Sequence, residues 1–265
     1  MKQFKGRYII QGEIFCRTGL RIGAPSEGMQ IGGMENPVIR DPSTDQPYIP
    51  GSSLKGRLRY WTEWSMGLIS SEGGTPAYPC KELAKEKVGD PEWENVALLA
   101  RLYGAGSPDD RVRQVAGPSR LTVRDAFLTE ESAKELQRYL GEGVFVEEKT
   151  ENAIDRITSK ANPRPLERVP RGARFAFTLL VDVYEGDSPE LLRTLFHAMA
   201  LVEDSSLGSG GSRGHGAVSF RGLTVEWRSR DYYWGKAEAR PIAVGEVQDA
   251  HELLAKFDEI SWEVE

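Results

Sequence analysis

The chain has 265 residues, 39% apolar and 28% charged, with a formal net charge of −6. These are the proportions of a folded globular protein and exclude a disordered one. No apolar run approaches the roughly 20 residues of a membrane helix, and two cysteines, Cys16 and Cys80, are too few for a disulfide framework or a zinc cage.

The opening MKQFKGRYIIQGEIF has no cleavage-site pattern and reads as a first strand, so a cytoplasmic location without membrane contact is the default expectation. Residues 7–17 alternate as a strand. The stretch 18–50 is dense in Gly, Pro, Asp and Asn and is too irregular for a helix. IPGSSLKGRLRYW, 49–61, then starts a helix, with a serine as N-cap and Leu54, Leu58 and Trp61 on one face. Residues 67–118 read as an insertion with a polar helix at 81–87 and an apolar one at 93–103. SRLTVRDAFLT, 119–129, reads as a strand and 131–140 as a short helix. The polar, proline-containing segment 144–174 follows. ARFAFTLLVDVYE, 173–185, is apolar enough to be a central strand. The helix 188–203 takes Ser188 as N-cap and Pro189 at its first position. A glycine-rich loop then leads to a last strand, 217–227. Without its insertions the order is β-α-β-β-α-β, the ferredoxin-like or RRM-like arrangement of the α+β class.

Three features concentrate chemistry. Lys55, Arg57 and Arg59 stand at the helix start with no acid among them, Lys55 and Arg59 one turn apart on one face. With Ser52 and Ser53 they make either a phosphate site or an ordinary solvated face. The loop Gly208–Gly216 has five glycines in nine residues, which lets backbone amides line an anion or forms a plain connection. Gly210, Gly211 and Arg213 are its candidate contacts. From 156 to 174 there are six bases and one acid, beside the apolar Ile154 and Ile157, which suits either a nucleic-acid wedge or a loose loop. The tail from Glu246 holds seven acids and one lysine. The three histidines are scattered, and no Ser-His-Asp, Cys-His or HExxH pattern is present. Carboxylates such as Glu35 and Asp41 remain as metal ligands, although Asp41 before Pro42 is more simply a turn residue.

Five stretches in order carry a resemblance: TGLRIG (18–23), MENPVIRDP (34–42), YIPGSSLKGRLR (48–59), TENAIDRITSKANPRPLERVPRGARF (150–175) and SSLGSGGSRGHGAV (205–218). Together they resemble the RAMP superfamily, in particular the Csm-type backbone subunit of type III-A CRISPR effector complexes. The resemblance implies a ferredoxin-like domain over 1–227 with a helical insertion at 67–118 and a protruding β-hairpin thumb at 144–174. The acidic extension 228–265 is expected to pack on that core. It also implies that Ser52, Ser53, Lys55, Arg57 and Arg59 grip the guide RNA backbone, with Arg21 and the Gly210–Gly211–Arg213 loop beside the same strand. A thumb carrying Ile154, Arg156, Ile157, Arg164 and Arg168 would reach over the neighbouring copy and interrupt the guide–target duplex. Copies would stack into a filament with other subunits of the complex, and target RNA would be cut with Mg²⁺ or Mn²⁺.

In such proteins the cutting and metal-holding residue is usually an aspartate before Asn/Ser-Pro-Val-Ile. Here it is Glu35, whose carboxylate lies roughly 1.5 Å further out, and displacements of about 1 Å can cost on the order of 100-fold in rate. Two expectations stand side by side: a metal-dependent target RNA endonuclease, and a catalytically inactive scaffold that only holds guide and target. A stand-alone nuclease processing the guide precursor lacks a histidine placed as general base. An RRM-like module of another purpose lacks the RNP1 aromatic pattern.

Overall fold

A computed structural model of the protein describes residues 3–24, 37–69, 91–105 and 116–262. Strand β1 (Phe4–Cys16) alternates as its sequence demands, with Tyr8, Ile10, Ile14 and Cys16 buried on one face. A two-residue β2 (Tyr48–Ile49) leads into helix α1 (Gly51–Ser65), which buries Leu54, Leu58 and Thr62. The second apolar helix of the insertion is present as α2 (Pro91–Tyr103); the polar helix expected at 81–87 lies outside the described residues.

The strand expected over 119–129 is two short ones, β3 (Leu121–Val123) and β4 (Ala126–Leu128). Its break at Arg124–Asp125 has a physical cause. The start of α1 crosses there so closely that a Cβ on Gly51 would lie 2.3 Å from the carbonyl oxygen of Val123. Helix α3 (Glu130–Leu140) is capped by Thr129, whose hydroxyl accepts from the Ser132 N–H. Next comes a ribbon of β5 (Glu147–Ile154) and β6 (Ala161–Arg168), which among the described residues pair only with each other as a separate two-stranded sheet; Pro163 and Pro165 sit within β6. The chain then re-enters the main sheet as β7 (Arg174–Tyr184).

Helix α4 (Glu190–Asp204) begins one residue later than Ser188 capping requires. Pro189 is its N-cap, with φ −56° and ψ −15°, and no side chain caps it. The Pro189 carbonyl accepts from Leu192 N–H at 2.9 Å. Strand β8 (Val218–Ser229), the short α5 (Arg230–Tyr233), β9 (Arg240–Ile242) and α6 (Ala250–Ala255) complete the chain.

All pairings are antiparallel, in the order β2-β4-β7-β1-β8-β9 with β3 beside β4 on β7. The core order β8-β1-β7-β3/β4, with α1 and α4 packed against each other, is the ferredoxin-like split βαβ. Strand β7 is internal, as its apolar run requires. The acidic tail lies on this core through Ala250, Leu253 and Phe257, all buried, and Trp262 stacks on Phe257 at 4.8 Å. Glu203 at the end of α4 accepts from the backbone N–H groups of Phe220 at 2.5 Å and Ala250 at 3.1 Å, tying β8 and α6 to one carboxylate.

Among the described residues one ion pair is wholly buried. Arg120 grips Asp187 through two hydrogen bonds of 2.9 and 3.0 Å, and a third nitrogen donates to the carbonyl of Ala116 at 2.7 Å. Asp187 also accepts from Tyr184 N–H. The pair fastens the chain leaving the insertion to the turn between β7 and α4.

Candidate nucleic-acid interface

The helix α1 start differs from the serine-capped phosphate site that its sequence suggests. Pro50 is the N-cap and no side chain of the helix caps it; Ser52 and Ser53 lie inside the first turn. The Gly51 N–H donates to the Asp125 carboxylate at 2.7 Å, while the Ser53 and Leu54 N–H groups turn to the Pro50 carbonyl. An aspartate from the β3–β4 junction therefore takes the positive end of the helix dipole.

The three cations divide. Lys55 runs inward, donating to the Leu121 carbonyl at 2.7 Å and the Ser119 hydroxyl at 3.3 Å. Burial lowers its pKa, with repulsion from Arg59 adding to the effect. Arg59 is paired with Glu63 at 2.6 Å, one turn on, so an acid does stand against this patch. Arg57 turns the other way. Its Nε donates to the Ser206 carbonyl at 2.6 Å, and its guanidinium lies 5.0 Å from the Tyr60 ring and 5.3 Å from the Trp61 ring; burial lowers its pKa. The outward stripe between these flanks is Ser52, Gly56 and Tyr60, and a Cβ on Gly56 would meet nothing within 4 Å. A backbone polyanion can approach α1 closely along that stripe.

Arg57 thus leads to the glycine loop, and the loop is laced to residues 19–21. The Ser209 N–H donates to the Arg21 carbonyl at 2.9 Å and the Gly216 N–H to that of Gly19 at 2.8 Å. Gly216 has φ +73°, and a Cβ there would stand 2.0 Å from the Leu207 oxygen, so only glycine fits. Gly210, at φ +77°, precedes a single 3₁₀ turn, Gly211–Arg213. Gly211 lies over Ser206, where a Cβ would come within 2.0 Å of the hydroxyl. The Arg21 side chain reaches the Ser209 hydroxyl at 3.1 Å. Arg21, Arg57, Gly210, Gly211 and Arg213 therefore gather on one side of the molecule, with Ser52 and Ser53 along the helix beside them; Lys55 and Arg59 brace the opposite flank.

The ribbon rises from the same place. Glu151 on β5 pairs with Arg213 at 3.2 Å and meets the His215 ring at 2.9 Å. On β6, Glu167 accepts from Arg40 at 2.9 Å and from the Val38 N–H at 3.0 Å. Arg168 pairs with Glu147 at 2.6 Å and lies over Gly19. At the far end Asp155 holds the turn through the Ile157 and Thr158 N–H groups, presenting Ile154 and Ile157, 64% and 95% exposed. Arg156 and Arg164 are exposed along it.

Asp41 is a turn residue, accepting from Ser43 N–H at 2.7 Å. Glu35 lies outside the described residues. Among those described, no group of three His, Cys, Asp or Glu is placed to hold a metal ion, and no helix is long and apolar enough to cross a membrane. Residue patterns did not single out Asp125, Glu151, Ser206 or Glu167. Glu151, Glu167 and Ser206 nevertheless lie within the stretches that carry the resemblance, whereas Asp125 does not.

The core, loop and ribbon define a class. The family model of the RAMP superfamily matches residues 13–219. A CRISPR system Cms endoribonuclease Csm3 from Methanothermobacter thermautotrophicus is 40% identical over 246 residues, 89% of this chain and 92% of the relative. The protein of that name from Methanocaldococcus jannaschii is 34% identical over 259 residues, 97% of this chain and 95% of its own. A chain of the Csm3–Csm4 subcomplex of the type III-A CRISPR-Cas interference complex superposes with a TM-score of 0.58 at 25% identity, covering 98% of this chain and 100% of the other. The Methanopyrus kandleri Csm3 crystal structure shares the fold, with a TM-score of 0.61 at 24% identity and 97% of both chains covered. The chain belongs to the RAMP superfamily and, within it, to the Csm3 backbone subunits of type III CRISPR effector complexes.

Proposed function

We propose that the chain binds guide RNA along the face where α1, residues 19–21 and the glycine loop meet, and presents its ribbon to the guide–target duplex. The observation that carries this reading is the convergence of Arg21, Arg57 and Arg213 on one glycine-lined loop at the foot of the ribbon. Backbone phosphates suit such a place: guanidinium groups fork onto phosphate oxygens, and glycine lets the two backbones approach. Ser52 and Ser53 line the approach, and Lys55 and Arg59 hold α1 in position. Ile154 and Ile157 are wedges, with Arg156, Arg164 and Arg168 along the thumb. Successive copies stack along one guide, beside other subunits of the complex.

Target RNA is then cut at regular intervals, with Glu35 as the catalytic carboxylate. Mg²⁺ or Mn²⁺ suits one carboxylate together with the oxygens of the RNA, and supplies charge neutralisation on the phosphate when bound. The glutamate in place of an aspartate supports the alternative, a scaffold that binds target without cutting.

The test is an assembled complex with its guide, offered labelled complementary RNA and Mg²⁺ or Mn²⁺, beside a Glu35→Ala assembly. A ladder of evenly spaced cuts, lost in Glu35→Ala, is the expected result. Tight target binding without a ladder makes the chain a scaffold.

A further inference from the structure

His215 is 3% exposed, and its ring lies against Gly210, where a Cβ would come within 3.3 Å. Its Nδ1 is buried without a hydrogen bond among the described residues. Only its Nε2 edge is engaged, by Glu151 Oε1 at 2.9 Å and Lys149 Nζ at 3.3 Å. A histidine so enclosed has no substrate to meet. The other oxygen of Glu151 takes Arg213 Nε at 3.2 Å. One carboxylate on the ribbon therefore straddles the loop, with one oxygen on a buried ring and the other on a guanidinium 63% exposed. The opposite strand is held in the same manner, by Glu167 between Arg40 and the Val38 N–H. Because among the described residues the ribbon pairs with no strand of the main sheet, its angle to the body is set by such side-chain contacts and by the backbone bridge of Leu20 with Val169.

We infer that Glu151 is a positioning residue for the ribbon: seated on His215 and Arg213, its carboxylate fixes the angle between ribbon and glycine loop. It thereby sets the distance from the RNA held at the loop to the wedge at the ribbon tip. This rests on the proposed function only for its consequence; the angle itself is a property of the chain alone. A phosphate reaching Arg213 competes for the exposed half of the seat and leaves the buried half on His215.

The test is made first without RNA. In a Cys80→Ser background, Thr158→Cys at the ribbon tip and His197→Cys on the exposed side of α4 carry spin labels, buried Cys16 staying unlabelled. Pulsed dipolar spectroscopy of the parent is expected to give one narrow distance distribution. Glu151→Ala is expected to lose that single narrow peak, and Glu151→Gln, which keeps an acceptor toward His215, to recover most of it. A broad distribution in the parent, or the parent's width in Glu151→Ala, overturns the inference. Circular dichroism checks the fold of each variant; should Glu151→Ala unfold, the width given by Glu151→Gln against the parent still decides. In the assembled complex Glu151→Ala is then expected to keep guide affinity while the cuts lose their even spacing. Loss of guide binding in the parent would count against the proposed function and leave the distance result standing.

Discussion

At the first turn of α1, Asp125 satisfies a backbone donor and places negative charge at the positive end of the dipole. Asp125→Ala is expected to cost about 1 kcal/mol, as the loss of a cap does, read as a lower urea midpoint with an unchanged slope. A cap supplied from 74 positions away in sequence leaves no local trace, which is why a serine reads as the N-cap. The cations of α1 separate in the same way. Lys55 faces the Leu121 carbonyl and Arg57 the Ser206 carbonyl, yet a bare string of Lys and Arg tells neither direction. Arg57→Ala is expected to weaken guide binding by about 1.5–3 kcal/mol, the range for hydrogen bonds to charged groups. Lys55→Met, which fills the same interior space, is expected to leave guide affinity nearly unchanged. Filter binding at fixed salt compares the two; equal losses would return Lys55 to the RNA face.

Between elements, charge serves as a fastener. The Arg120–Asp187 pair joins the exit of the insertion to the β7–α4 turn, fully buried and hydrogen-bonded at both ends. Removing one partner strands the other charge, so Arg120→Met is expected to cost about 3–5 kcal/mol, whereas replacing both partners by apolar residues of similar volume should recover most of it. Thermal unfolding of the single and double variants decides. The ribbon seat should respond to acid. Burial pushes the Glu151 carboxyl up, but its bond to His215 and the charges of Arg213, His215 and Lys149 outweigh this, leaving it below the ordinary 4.5. A depressed carboxyl stabilises the folded state above its unfolded pKa and loses that contribution as pH falls through its folded value. Loosening of β5, followed by amide exchange, is therefore expected as the pH falls below 4.5. The elements themselves were largely legible, because alternation in β1 and helical spacing in α1 are local and strong. The break between β3 and β4 was not, since its cause is Gly51 crossing from another part of the chain.

For the molecule as a whole, a net charge of −6 is no obstacle to holding RNA when the cations gather on one face. Guide affinity should fall log-linearly with salt, with a slope of about −0.7 for each phosphate neutralised on a single strand. Titrations of the parent and Arg57→Ala at several salt concentrations should differ in slope by about one such contact. The β-α-β-β-α-β order was readable because each unit announces itself within its own residues. Residue patterns alone did not show the assembly of the site, which only the resemblance implied for Arg21, Arg57 and Arg213, because these residues and Glu151 come from elements distant in sequence. The prolines of β6 have a consequence for any strand that meets the ribbon. A bare ribbon offers both its edges to any passing strand, the first step toward fused sheets and aggregates. Pro163 and Pro165 alternate along β6, so both ring nitrogens face one edge, and the pairing with β5 runs unbroken past them. That edge is the outer one, where two amide donors are missing. Crowded neighbours can touch this ribbon through side chains but cannot zip onto that edge.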